Sequence, residues 1–209
     1  TPVPYREGLT DFNQFFSTKL GKPSITLTDL VRKEICEPLN ERTRKSHKLI
    51  HGDLIADNLI VVPRYAGLDR DGESVVYIDW TRSVLKGFPE FDLGSLMSKL
   101  NVDEDLEDRI VGYAASLFEP ESKDAQEESI KAYHRNRVLQ DLVASHKYLS
   151  RADNARSDPQ AEIFRNCSLL LFNRAIRKVK RQTQRMNLFS SNLLEELVQS
   201  RPGLYEITE

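Results

Sequence analysis

His51-Gly52-Asp53-Leu54-Ile55-Ala56-Asp57-Asn58 has the form HxDxxxxN. That spacing serves loops in which the Asp lies beside an acceptor hydroxyl and the Asn reaches a metal ion. Further along, Val75-Val76-Tyr77-Ile78-Asp79-Trp80 is an apolar run closing on an Asp, where a second metal-binding carboxylate is needed. Phosphoryl transfer asks a protein mainly for positioning and charge neutralisation. An Asp can hydrogen-bond the attacking hydroxyl and take its proton late, while magnesium bridges phosphate oxygens and needs few protein oxygens. Asp53 suits the first task, and Asn58 and Asp79 suit the second. Both motifs in this order, with a hairpin between them, point to that chemistry far more strongly than either does alone.

The elements that must hold these residues are legible in part. NLIVVP and SVVYIDW are rich in β-branched and aromatic residues and flank RYAGLDRDGE, whose Gly67 and Asp71-Gly72 supply turn chemistry. They predict an antiparallel β-hairpin over about Leu59 to Ile78, which brings the strand ends beside Asn58 and Asp79 together. Ahead of it, one helix is expected from Leu9 to Leu20, with Phe12, Phe15, Phe16 and Leu20 on one face. A second is expected from Thr28 to Glu37, where Pro38 interrupts it. A basic polar stretch, ERTRKSHK, and an apolar step at Leu49 and Ile50 lead into the motif. Beyond Leu93, helical periodicity dominates: DLGSLMSKL, DEDLEDRIVGYAASLF, then Asp124 to Leu149, Pro159 to Met186 and Leu193 to Gln199, with a polar break from Asp153 to Pro159. The chain contains no internal repeat and no low-complexity tract.

Composition bounds the rest. The 209 residues, 39% hydrophobic and 30% charged, suit one folded domain. A net charge of -2 gives no global reason to bind nucleic acid or an anionic membrane. Cys36 and Cys167 lack CxxC spacing, so neither a disulfide framework nor a zinc site is suggested. No apolar run reaches a membrane span, and a cytoplasmic setting is expected. The opening TPVPYREGLT, without an initiator Met, reads as part of a longer polypeptide.

HGDLIADNLIVV, VVYIDW and GFPEFDLGSL together resemble the HGDxxxxN, IDW and DL motifs of aminoglycoside phosphotransferases, choline kinases and fructosamine kinases. The motif match runs from about His51 to Leu96. The resemblance implies a mainly α fold with a small β-hairpin, the C-terminal lobe of a protein-kinase-like fold, spanning residues 1–209. Leading helices would occupy 1–47, the catalytic loop, hairpin and metal motif 48–100, and a helical subdomain 101–209. It implies Asp53 as catalytic base, His51 as an organiser of the catalytic loop, Asn58 and Asp79 as ligands of Mg2+ and its nucleotide, and Asp92 as a buried brace for the loop. The reaction implied is transfer of the γ-phosphoryl group of ATP or GTP to a hydroxyl of a small molecule. Protein kinases fit less well. Gly52 replaces their Arg, Ile55 replaces their Lys, and the twelve residues between Asp79 and Asp92 leave no room for an activation segment.

The departures matter equally. The sequence contains no GxGxxG, Walker A or VAIK segment, and Asp57 stands where many relatives carry Gly. An N-lobe outside this chain is therefore expected to complete the enzyme, and the isolated chain is expected to be inactive. The rival reading is a kinase-like binding or regulatory module of a larger protein that has lost its chemistry. Asp92 has a plainer reading as a helix N-cap. His47 and His51 lack a third ligand, and Asp69, Asp71 and Glu73 lack the spacing of a calcium loop. The basic run Arg174, Arg177, Lys178, Lys180, Arg181 and Arg185 reads as a solvated helix face.

Overall fold

The structure, a computed structural model, describes residues 25–46, 48–62, 74–79, 82–100 and 102–200. The helix expected from Leu9 to Leu20, the hairpin loop with Gly67 and Asp71-Gly72, and His47 lie outside these residues. Described elements follow the order α1 (Ile25–Val31), a π-helical turn (Arg32–Cys36), α2 (Glu37–Lys45), β1 (Lys48–Ile50), a 3-10 turn (Ala56–Asn58), β2 (Leu59–Val62), β3 (Ser74–Tyr77), β4 (Val84–Gly87), α3 (Pro89–Lys99), α4 (Glu104–Phe118), α5 (Lys123–Asp153), α6 (Asp158–Met186) and α7 (Ser191–Gln199). The architecture is mainly helical with a small antiparallel β component.

Pro38 does not end the helix begun by α1, contrary to the sequence expectation. Helical backbone runs on to Lys45, because the chain widens into a π turn whose last bond runs from the Glu37 N–H to the Arg32 carbonyl. Pro38 then falls in the first turn of α2, where a missing N–H costs nothing.

Two long helices form the body. α5 and α6 pack antiparallel, and α1, α2 and α7 close over them. Val31, Ile35, Leu39, Val138, Leu139, Ala175, Val179, Leu193 and Leu197 form one buried cluster with Phe88 and Phe189. Caps fix the helix ends: Asp103, Ser122 and Ser190 each accept an N–H from their own first turn. Ser190 is held in turn by Glu34, which accepts both its N–H and its hydroxyl. α6 ends at Asn187, in the left-handed region at φ 50°.

The basic run of α6 is only in part a solvated face. Lys178 is buried, 2.5 Å from Glu107. Arg174 meets Asp141, Arg181 meets Glu104, Asp105 and Asp108, and Arg185 also meets Asp108. α4 and α5 thus supply the acidic partners, and Arg177, Lys180 and Arg185 are the exposed members, the last still paired. Glu107 additionally accepts from Tyr133 Oη at 2.5 Å and from Arg137 Nε at 3.3 Å.

α3 docks on α5 through Gly94. A Cβ there would lie 2.3 Å from Asn136 Nδ2, and that amide donates to the carbonyls of Glu90 and Phe91 at 3.3 Å each. Gly94→Ala should therefore displace a buried amide from two acceptors. The lost bonds cost about 1–3 kcal/mol, and the better helix propensity of Ala returns about 1. A net loss of up to about 2 kcal/mol in a urea titration is expected, and a stabilising result would show that α3 shifts on α5 to admit the methyl.

Candidate functional site

The hairpin sets the site. β2 and β3 pair antiparallel with Leu59 opposite Tyr77 and Ile60 opposite Val76, within the span the sequence predicts. The pairing continues one step outward, where the Ile78 N–H donates to the Asn58 carbonyl at 3.0 Å. Asn58, just before β2, and Asp79, two residues after β3, therefore stand at the same end of the hairpin. Asn58 is buried, and its Nδ2 donates to the Asp53 carbonyl at 2.8 Å. This bond orients the amide and closes the five-residue loop back on Asp53. Asp79 is exposed and has φ 56°, a left-handed conformation that Asp and Asn tolerate better than other side chains.

A second, shorter pairing carries the loop. β1 lies antiparallel to β4, with Lys48 opposite Gly87 and Ile50 opposite Val84. Nothing in the local pattern announces this pair. It delivers the chain into His51 beside the N-terminus of α3, where the Asp92 carboxylate accepts the His51 N–H at 2.5 Å and the Gly52 N–H at 2.8 Å. Gly52 has φ 77°, a left-handed conformation that favours glycine, and two successive N–H groups meet one carboxylate. Burial pushes the Asp92 carboxyl up, against the lowering effect of the two backbone donors. Asp92 does not cap its helix, as the plainer sequence reading had it. α3 starts three residues earlier at Pro89 with Phe88 as N-cap, and Asp92 lies inside the first turn.

The buried His51 ring points the other way. Its Nε2 donates to the Ile78 carbonyl at 2.7 Å, a bond that fixes the Nε2–H tautomer because a carbonyl can only accept. His51 thus ties the loop to the residue preceding Asp79. Asp92 holds the loop backbone and His51 and Asn58 link the loop to the hairpin, while Asp53 is half-buried and Asp79, one residue past the His51 acceptor Ile78, is exposed. Asp57 is exposed on the 3-10 turn.

One residue escaped the sequence reading. Arg82 Nη1 lies 3.4 Å from Asp53 Oδ2. The sequence signal was slight: Arg82 follows Asp79 by three positions.

Beside the loop opens a cavity of about 340 Å³ between β1, β3, α3 and the end of α4, whose walls include Ile50, His51, Leu54, Tyr77, Asp92 and Leu96. Among the described residues, no group of three or more His, Cys, Asp and Glu side chains is arranged to hold a metal ion. Asn58 and Asp79 each carry a side-chain oxygen of the hard kind that Mg2+ takes. No described helix is long and apolar enough to cross a membrane.

No family model, no curated protein and no solved structure matches the chain.

Proposed function

We propose that this chain is the catalytic lobe of a small-molecule phosphotransferase similar to the aminoglycoside and choline kinases, with the C-terminal-lobe architecture of a protein-kinase-like fold. The observation that carries the reading is the hairpin register, which brings Asn58 opposite Ile78, the residue before Asp79, while the Asn58 amide is tied to Asp53. Asn58 Oδ1 and the Asp79 carboxylate would hold Mg2+ with the phosphates of ATP or GTP, and the ion would supply charge neutralisation at the transferred group. Asp53 orients the acceptor hydroxyl and accepts its proton. Arg82 holds the Asp53 carboxylate and places positive charge next to it. His51 and Asp92 keep the loop in register with the hairpin.

The hairpin itself supports an adjoining lobe. Ile60, Val76 and Ile78 share one side of the hairpin and are each 37–44% exposed, and such half-exposed aliphatic residues are the kind of surface a neighbouring lobe covers. The phosphate-cradling segment would come from that lobe.

Mn2+ with ATP is the direct probe, because its unpaired electrons broaden nearby amide resonances. Broadening should centre on residues 53, 58 and 79, and Asp79→Asn should weaken it several-fold. Both Asp and Asn tolerate the left-handed backbone at this position, so the variant tests charge without added strain. Binding will be weak in the chain alone, since no Gly-rich loop cradles the phosphates. Broadening centred on another surface, or unaltered by Asp79→Asn, would end this reading and favour a binding module without phosphoryl chemistry.

A further inference from the structure

We propose that the cavity beside the Asp53 loop receives the body of a neutral, apolar alcohol, so that the acceptor is an aliphatic or aromatic alcohol and not a polycation. The inference rests on the phosphotransfer reading for its reactive group and on the cavity for its substrate class. His51 and Leu54, which lie on either side of Asp53 in the chain, both line the cavity. Asp53 is not itself a lining residue but adjoins Leu54 in the wall, so the hydroxyl of a ligand seated there would have to project past Leu54 to reach the residue assigned as base.

The walls decide the class. Ile50, Leu54 and Leu96 present alkyl surface, with Tyr77 as an aromatic side. Among the described lining residues, Asp92 is the carboxylate, and its two oxygens are engaged by the His51 and Gly52 N–H groups. A cationic acceptor would leave water for a site whose negative charge is already committed to the backbone, and desolvation would go uncompensated. An apolar body gains from the same walls. At about 340 Å³ the space lies toward the small end of ligand pockets, enough for one ring with its substituents.

The test uses the 209-residue chain with methyl-labelled Leu and Ile, titrated with cyclohexylmethanol and, separately, with choline and with kanamycin. Methyl resonances of Ile50, Leu54 and Leu96 should shift saturably with the alcohol, at a Kd on the order of 1 mM. Neither cation should move them. Leu96→Trp, which fills the cavity, should weaken alcohol binding at least about tenfold. Leu54→Asp, on a half-buried loop residue, should do the same with less risk to the fold, and circular dichroism would confirm that each variant is folded. The proposal is overturned if cyclohexylmethanol produces no saturable shift at these methyls, if choline or kanamycin shifts them instead, or if a folded variant binds the alcohol as tightly as wild type. Mn2+ binding is read on other resonances. Loss of the alcohol site would leave the metal reading standing, and loss of the Mn2+ site would leave an apolar ligand site without its chemistry.

Discussion

Glu107→Ala is expected to lower the free energy of unfolding by about 3–5 kcal/mol, the largest stability effect of any single change considered. Glu107 is buried and accepts from Lys178, Arg137 and Tyr133 at once. Burial alone would raise its carboxyl, but the Lys178 ammonium and the Arg137 guanidinium outweigh it and hold the pKa down to about 2. Against an ordinary 4.5, that displacement corresponds to about 3 kcal/mol. Removing the carboxylate strands the buried Lys178, while Arg137 keeps Asp141 at 3.1 Å. The double variant Glu107→Leu with Lys178→Met should recover much of the loss, because neither charge is then left alone. The sign with pH follows. The stability Glu107 contributes is complete above pH 4.5 and is lost as pH falls toward 2. His134 adds an earlier limb: burial lowers its imidazole from 6.5 to about 4, so the unfolded state takes up its proton first and stability drops as pH falls from 6.5 through 4. Glu107→Gln should flatten the lower limb and leave the upper one in place. Urea titrations between pH 7 and pH 3 would show this, and an unchanged lower limb would mean that Glu107 is not the group responsible.

That ionic seam was not legible in the sequence, and the reason is physical. Periodicity reports which face of a helix is apolar, and Lys178 lies next to Val179 in a run that otherwise reads as charged. Only the docking of α4 and α5 on α6 gives each cation its partner. The same distinction divides the rest of the fold. The hairpin and the helices after Leu93 were legible because β-branched alternation, turn residues and helical spacing are local signals. The β1–β4 pair was not, since two strands of three and four residues meet across more than thirty intervening positions. Pro38 misled because the rule for interior proline assumes α-helical bonding, whereas a π turn removes the conflict. At the site, residue types and spacing pointed to Asp53, Asn58 and Asp79, but the carboxylate bridging two N–H groups, the His51 bond to Ile78 and the Arg82 contact depend on tertiary geometry. Pro89 did carry a usable signal for the true start of α3, as proline favours the first helical position.

In a polypeptide that carries a nucleotide-cradling lobe beside these 209 residues, Asp53→Asn is expected to cut phosphoryl transfer by about 10²–10⁴-fold while leaving Tm unchanged. Asp53 serves the fold mainly through its backbone carbonyl, the acceptor for Asn58, and this survives the substitution. Its carboxylate meets Arg82, whose side chain is 64% exposed, and such a pair contributes about 0–1 kcal/mol. The variant therefore loses the group proposed to orient and deprotonate the hydroxyl at little cost in packing. Neighbouring substitutions should separate by readout. Arg82→Ala should slow turnover less than Asp53→Asn, with nucleotide affinity retained, because it acts on the carboxylate's position and local charge. Asp79→Asn should weaken metal-nucleotide binding as well as rate. Asp92→Asn should cost about 1–3 kcal/mol of stability, because an amide can accept one of the two N–H groups but turns its own NH₂ toward the other. Product formation, nucleotide affinity and Tm on the four variants distinguish these roles. Wild-type turnover in Asp53→Asn would remove the base from the mechanism, and a large fall in Tm for that variant would show that its carboxylate belongs to the fold.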